Sequence, residues 1–585
     1  MIGGSLGTWT ASRRRFASLG LSALVFGCAV ASLFGPMAGA DLREVVFVNR
    51  PPELAEGPGW GTLRESDLQF VVAVTARNAS TLAQQPRRFF DLEQCHPVDD
   101  ALAFGEMLLT PGLLGLPAWL LFRDPLVTFN FVIVTLPLIA AFAMAWLVRQ
   151  WTGLASAGLV AGLLYAFHPI RIGDTVHFYV WDMAWTVLAL GLARRLFLKR
   201  SWRVAACLAA VVVLQMGGSP YPLLAAGTLA VFEVAWLLRV HGLRSLPVAP
   251  VVSVLVIGLV TAAVLFHPQL ALQGSGSLPE RARLFFLPYA SLLPGQPLSL
   301  GLVLPAFAVV GIVLGGRGRS GKLPGDPRWA VLVGGLVCLI LAAGGNTGDV
   351  QRAVIQGEPP PPLLPNLWSA LSAALPPLRG LRGPAALLVG FHLSLAILAG
   401  LGGAALLRMA PDRWRPGVAG LLVLVAYVAV VQPARLGLEP RVRHQAVALR
   451  PSEETLAFFA DLEAEGDQGP ILEVPSPGGR LAEKRFASGA LLRAAYHRRP
   501  VGSCGNSYRA PESEEVRELG RRLPNAAALA RLRELGFTTI VVHHPPGTPG
   551  AAALRAGLDA LAEQSPALEP LLRTPARTAY RIVRG

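Results

Sequence analysis

The sequence predicts an α-helical polytopic membrane protein of about eleven transmembrane helices with a small extracytoplasmic α/β domain at its C-terminus, and three observations predict it. Of 585 residues, 53% are hydrophobic and only 15% charged, whereas soluble domains carry about 25% charged residues. The apolar residues are gathered into eleven runs separated by short basic clusters. Beyond about residue 440 the hydropathy drops, and helix and strand signals alternate to the end of the chain.

Taken in order, Arg13, Arg14 and Arg15 precede an apolar run over about 16–40 that closes on Ala38-Gly39-Ala40, which resembles a signal-peptidase site. The run exceeds the roughly 7–15 residues of a signal-peptide core. It therefore reads as an uncleaved first span, with a cleaved signal peptide as the competing reading. Residues 41–126 form a long polar segment, the first outer loop with its surface helices. Within it, 105–122 read as a helix lying at the surface, broken by Pro111 and Pro117. Further spans follow at about 127–148, 153–168, 178–193, 203–216, 219–238, 248–267, 299–315, 328–344, 384–407 and 415–433. Several are shorter than the ~20 residues that cross a bilayer, so their boundaries are soft.

Charge sets the orientation. The net charge of +15 does not indicate nucleic acid: the basic residues sit in short turns between apolar runs, with no glycine-rich phosphate loop and no basic–aromatic strands. With the N-terminus in the cytoplasm, eighteen Lys and Arg fall in the cytoplasmic segments, among them the Arg194–Arg203 and Arg317–Arg328 clusters. That is the distribution the positive-inside rule expects. It leaves outside the loop His168–His177, the turn Gly217–Tyr221 and two long loops at about 268–298 and 345–383, the second holding the stiff run Pro359–Pro362. The chain thus divides into a transmembrane domain, 1–440, and an extracytoplasmic α/β domain, 441–585, with strand-like ILEVPS, TTIVVHH and TAYRIV. Gly158, Gly162, Gly400, Gly402 and Gly403 are small-residue patterns for close helix packing.

Five cysteines are too few for a disulfide scaffold. Cys28, Cys207 and Cys338 lie in apolar runs and read as packed thiols. Cys95 and Cys504 are the two outside such runs; both fall in outer segments, where disulfides form and persist, so they are expected to pair and dock the C-terminal domain over the first loop.

Two carboxylates stand out. Asp67 reads either as a helix N-cap, with Ser66 beside it, or as a general base at the mouth of a helical bundle. Glu106, in Phe104-Gly105-Glu106-Met107, reads either as an exposed helix start or as a desolvated carboxylate with a role. Asp91, Glu93, Asp99 and Asp100 read as solvated loop charges. Arg171 and His177 suit a phosphate or pyrophosphate, the alternative for Arg171 being a snorkelling anchor. Trp181, Trp185 and Tyr221 suit an interfacial aromatic belt or a sugar-stacking platform, and Arg379 and Arg382 a second phosphate contact or an interface anchor. His543-His544 lacks the ligand set of a zinc site.

The order of these features resembles that of bacterial membrane glycosyltransferases of the GT-C fold, the group that includes polyprenyl-phosphate-dependent mannosyltransferases and the lipid A aminoarabinose transferase. The resemblance is carried by one N-terminal span, a long outer loop with an acidic residue, a proline-containing surface helix preceded by Glu106, a span ending at Arg149 before Thr152-Gly153, then AGLLYAFHPIR, His177 and a Trp-rich helix. It covers 61–240, recurs over Leu378–Gly403, and extends to ILEVPSPGG, RRPVGS and LRELGFTTIVVHH in the C-terminal domain. It implies an inverting hexosyltransferase of the bacterial inner membrane that moves a sugar from a polyprenyl-phosphate carrier to an envelope glycan, lipid or protein acceptor on the outer face.

By the same resemblance Asp67 takes the place of the first-loop base, Glu106 that of the second-loop acid, and Arg171 and His177 the basic positions near the lipid phosphate. The loop before Asp67 is extended relative to the family pattern, so Glu65 competes for the base role. The departing phosphate needs a cation, either side chains such as Arg171, His177 and Arg382 or a divalent metal ion. The expected partners are the lipid-linked donor and membrane lipid. The alternatives are a transporter or lipid flippase, for which Glu233 and His392 are the mid-span ionisable candidates, and a non-catalytic envelope assembly protein of the same fold.

Overall fold

The structure, a computed structural model, describes residues 5–50, 60–173, 175–274, 300–315, 327–343, 367–375, 378, 384–432, 443–466, 468–477, 480–505, 510–544 and 549–583. Each run predicted as a span coincides with an apolar helix. They are α1 (Ser5–Phe34), α4 (Pro125–Thr152), α5 (Ala155–Ala166), α8 (Ala184–Lys199), α9 (Trp202–Met216), α10 (Pro220–His241), α11 (Val248–Gly274), α12 (Val303–Leu314), α13 (Arg328–Ala342), α15 (Leu388–Met409) and α16 (Arg415–Val431). Among the described residues seven helical segments are long and apolar enough to cross a membrane: Leu19–Met37, Pro125–Thr152, Ala155–Ile172, Thr175–Lys199, Pro220–His241, Val248–Ala271 and Pro384–Met409. The helices α9, α12, α13 and α16 are shorter, as is α3 (Leu109–Phe122), whose 14 residues extend only about 21 Å, less than the ~30 Å hydrocarbon core.

Local chemistry sets these helices. Asp124 begins α4 by accepting from the Leu126 and Val127 amides at 2.9 and 3.0 Å, and Gly153, at φ 77°, ends it with its amide on the Arg149 carbonyl. Small residues then bring backbones together. A Cβ on Gly158 would lie 2.5 Å from the Ala145 carbonyl oxygen of α4, and one on Gly162 2.8 Å from that of Ala141. Gly311 of α12 and Gly402 of α15 face each other so closely that a methyl group on either would overlap a carbonyl oxygen of the other helix, at Leu398 or Phe307. Of the three thiols outside the disulfide, Cys338 is buried against Gly390 as expected, whereas Cys28 and Cys207 lie on outward faces and are not packed. Cysteine is apolar enough to sit on a lipid-facing surface.

Two devices tie the chain after the last apolar helix back to its start. The strand β1 (Val45–Arg50) pairs antiparallel with β2 (Arg443–Ala448), from Val45 opposite Ala448 to Arg50 opposite Arg443. The Asn130 amide of α4 holds β1 at Phe47 and Val45, at 2.9 and 2.8 Å. Downstream, α17 (Glu453–Ala464), α18 (Arg480–His497), α19 (Pro511–Arg522), α20 (Ala526–Glu534) and α21 (Pro549–Gln564) surround a four-stranded sheet. Its order is β3-β4-β6-β5, built from β3 (Ile471–Val474), β4 (Thr539–His543), β5 (Leu568–Arg573) and β6 (Arg577–Ile582); β3 and β4 are parallel and β6 runs antiparallel to both its neighbours. One face packs Leu472, Val542 and Tyr580 on α19–α21, and the other packs Val541 and Ala579 on Phe458 of α17 and Ala494 of α18.

The loop after α2 (Trp60–Gln84) runs beside this sheet. Cys95 and Cys504 are joined by a disulfide with Cα atoms 4.5 Å apart. The Cys95 amide donates to Ser503 and that of His96 to Val501, which itself bridges to Ile471 of β3. Glu93 belongs to this ordered loop: it is ion-paired at 3.2 Å with the buried Arg77 of α2, not a solvated charge.

Candidate functional site at the seam of bundle and sheet

Asp67 lies seven residues inside the 25-residue helix α2, so it is no N-cap. Ser66 and Leu68 beside it are fully buried, while the Asp67 carboxylate is 29% exposed. The 3-10 turn Thr175–His177 brings His177 Nε2 to 3.7 Å from Asp67 Oδ2. From the opposite side α18 lays Lys484 Nζ 2.6 Å from Asp67 Oδ1, across 417 residues of sequence. One residue further on, Arg485 pairs with Glu65 at 3.2 Å. Carboxylate, imidazole and ammonium therefore meet where α2, the His177 turn and α18 touch, each about one-third exposed. Burial alone would raise the Asp67 carboxyl; the nearby His177 imidazole and the Lys484 ammonium outweigh it and bring the carboxyl down to about 2.

The other expected site residues are placed differently. Arg171, on the short helix α6 (Pro169–Ile172), is 7% exposed. Its Nη2 lies 3.9 Å from Asp182 Oδ1 and its guanidinium stacks 4.4 Å above the Tyr165 ring. Together with Thr175 and Trp181, Arg171 and Asp182 line a cavity of about 30 Å³, room for about one water. Arg171 thus lies beneath the His177 turn, matched by its own carboxylate, and is not a cation presented at the opening. Glu106 lies in a non-helical link between the turn Ala101–Phe104 and α3. That link is fixed by Asn78 of α2, which donates to the Met107 carbonyl at 2.6 Å, and by Thr110, which donates to Leu214 of α9 at 2.5 Å. Asn78 is eleven residues, roughly 16 Å of helix, from Asp67. The polar contacts of Asp67 go to His177 and Lys484, not to Glu106. Tyr221 is half-buried in the first turn of α10. Arg379 and Arg382 lie outside the described residues.

Among the described residues no three His, Cys, Asp or Glu converge, and the Asp67 charge is already balanced by Lys484. The mid-span carboxylate Glu233 is closed off as well: it is 3% exposed, bonded to the Arg194 guanidinium at 3.0 and 2.8 Å, and that guanidinium sits between Trp151 and Trp236. Sequence reasoning missed Lys484. Its charge is one of several in Glu483-Lys484-Arg485, and no local signal pairs it with a residue in the first loop.

No protein-family model matches the sequence, and no curated protein matches it. Among solved structures, the chain is similar to the mycobacterial arabinofuranosyltransferase AftD, in its R1389S mutant, at 15% identity and a TM-score of 0.50, covering 97% of this chain and 42% of that one. A second AftD structure aligns at 14% identity and a TM-score of 0.45, covering 97% of this chain and 40% of that one. The oligosaccharyltransferase of Archaeoglobus fulgidus, in the apo form, aligns at 13% identity and a TM-score of 0.38, covering 90% of this chain and 69% of that one. The chain spans about two-fifths of the AftD length. The fold that the sequence resemblance implied, that of the GT-C membrane glycosyltransferases, is the fold of this chain.

Proposed function

We propose that the protein is an inverting GT-C glycosyltransferase that takes a sugar from a polyprenyl-phosphate donor and passes it to a hydroxyl of an envelope glycan, lipid or protein, on the outer face of a bacterial inner membrane. The observation that carries this reading is Asp67: a half-open carboxylate at the seam between the helical bundle and the C-terminal α/β unit, oriented by His177. A carboxylate there meets a lipid-borne donor arriving from the bilayer and an acceptor arriving from water.

In this reading the acceptor hydroxyl attacks the anomeric carbon and gives its proton to Asp67, while the bond to the phosphate breaks on the opposite face. His177 holds the carboxylate in place. Arg171 and Asp182 form the rigid base under the His177 turn. Glu106, just before α3, whose Thr110 amide donates to Gly217, and Tyr221, in the first turn of α10, border the acceptor path in this reading. Arg379 and Arg382 remain candidates for a second phosphate contact.

The test is release of carrier from polyprenyl-phosphate sugars by the purified chain in nanodiscs, with acceptor extracts. Asp67→Asn keeps the shape and removes the proton acceptor. Turnover is expected to fall by roughly 100-fold or more, the scale of a general base, with carrier binding retained. Full turnover in Asp67→Asn would remove the base assignment and pass it to Glu65.

A further inference from the structure

We propose that Lys484, delivered by helix α18 of the C-terminal α/β unit, is the cation that binds the phosphate of the lipid-linked donor and stabilises it as it leaves. This rests on the glycosyltransferase reading above and adds a binding residue to it.

An ammonium 2.6 Å from Asp67 makes that carboxylate a poor proton acceptor, because any proton it takes up must displace a favourable charge pair. A base in that state works only if the ammonium moves away when substrate is present. A phosphodiester donor supplies the reason to move. It carries one fixed negative charge, and when its bond to the sugar breaks the departing polyprenyl monophosphate gains a second.

The neighbouring cations are less suited. Arg171 is buried against Asp182, and Arg485 is paired with Glu65. Lys484 is 31% exposed, and its four-carbon stem can swing a compact charge by several ångströms without moving its helix. The helix itself is fixed: Arg493 bonds Glu473 at 3.0 Å, and Cys504 beyond its end is joined to Cys95.

Atoms and charges balance. The acceptor oxygen bonds to the anomeric carbon. The carbon–oxygen bond to phosphate breaks with its electron pair on the phosphate, now beside Lys484. The hydroxyl proton goes to Asp67, from which Lys484 has withdrawn. Among the described residues His177 is the other titratable group that faces Asp67; Glu65, two positions earlier on α2, is taken up by Arg485.

The experiment compares binding of polyprenyl monophosphate and of the uncharged polyprenol to the full chain in nanodiscs. Wild type is expected to prefer the phosphate. Lys484→Met should cut that preference by roughly 10- to 100-fold, the scale of a hydrogen bond to a charged group, with polyprenol binding unchanged. Lys484→Arg should restore most of it, and Arg485→Met should leave it alone. Asp67→Asn has the diagnostic sign: it should bind the phosphate more tightly than wild type, because Lys484 no longer has to leave a carboxylate. It also keeps the test alive should Lys484→Met fail to fold. An unchanged preference in Lys484→Met, or weakened phosphate binding in Asp67→Asn, would overturn the assignment of Lys484. A Lys484-dependent preference in a chain that transfers no sugar would instead defeat the glycosyltransferase reading and leave a lipid-phosphate site.

Discussion

Replacing Glu473 by Gln should unsettle the unit that presents Lys484. Glu473 is fully buried in β3, and one of its oxygens takes bonds from Arg493 at 3.0 and 2.5 Å and from His543 at 2.5 Å. The amide would leave the Arg493 guanidinium without its anion and take from His543 the carboxylate that its ring nitrogen bonds. Breaking a buried pair this way costs about 3–5 kcal/mol, a large part of the 5–15 kcal/mol that typically holds a domain together. At roughly 3 °C per kcal/mol for a unit of this size, melting should drop by about 10–15 °C.

The pH dependence has a defined sign. Burial would raise Glu473, but Arg493 and then His543 outweigh it and hold it well below its ordinary 4.5. Its contribution is therefore complete above pH 4.5 and is lost as pH falls further. Burial depresses His543 below its ordinary 6.5, against the pull of Glu473, so stability also declines as pH falls below 6.5. Wild type should show both steps, and Glu473→Gln should lose the lower one. Thermal unfolding across pH 3–8, with amide exchange on β3 and β4, reads both effects. A variant melting within about 2 °C of wild type, or one that keeps the lower acid step, would show that the pair contributes little.

Three further outcomes follow from the packing. Serine at both Cys95 and Cys504 should raise proteolysis of the 93–104 loop, with a loss of about 2–4 kcal/mol in the melting of the C-terminal unit; unchanged cleavage would mean that the β1–β2 pairing suffices. Valine at Gly311 or Gly402 should lower folded yield, since even a methyl group there overlaps backbone, at a cost of about 1–3 kcal/mol or more; Gly420→Ala, with open space around it, is the control and should express normally. Glu233→Gln should destabilise the bundle by about 3–5 kcal/mol in detergent melts; a stable variant with altered ion movement would instead revive the transporter reading.

The membrane helices were legible because each carries its own evidence. A run such as 127–148 is apolar throughout, and the glycines at 158, 162 and 402 announce helix contacts that need no knowledge of the partner. Strands β3, β4 and β6 were visible for the same reason. The β1–β2 pair was not: VVFVNR falls at the start of the long outer segment 41–126, and pairing with RHQAVA across nearly four hundred residues leaves no trace in either segment. Glu93 escaped similarly, because what removes it from solvent is Arg77, sixteen positions away on a helix whose buried face only packing defines.

The site was half legible, and the division follows the same physics. Asp67 and His177 are unusual in their own neighbourhoods, a carboxylate in a half-buried helix and an imidazole at an aromatic turn, so local chemistry marks them. Arg171 was marked too, but the partner that fixes its role, Asp182, is one helical turn beyond the loop, and only the fold shows that the two neutralise each other. Lys484 carries no mark because its meaning comes from where α18 docks, and that is fixed by the disulfide, the edge pairing at Val501 and Glu473 together. A charge whose partner is set by domain docking is invisible in sequence. In the proposed reaction it is also free to be exchanged, since an incoming phosphate would compete with Asp67 for the same ammonium without any rearrangement of the fold that holds it.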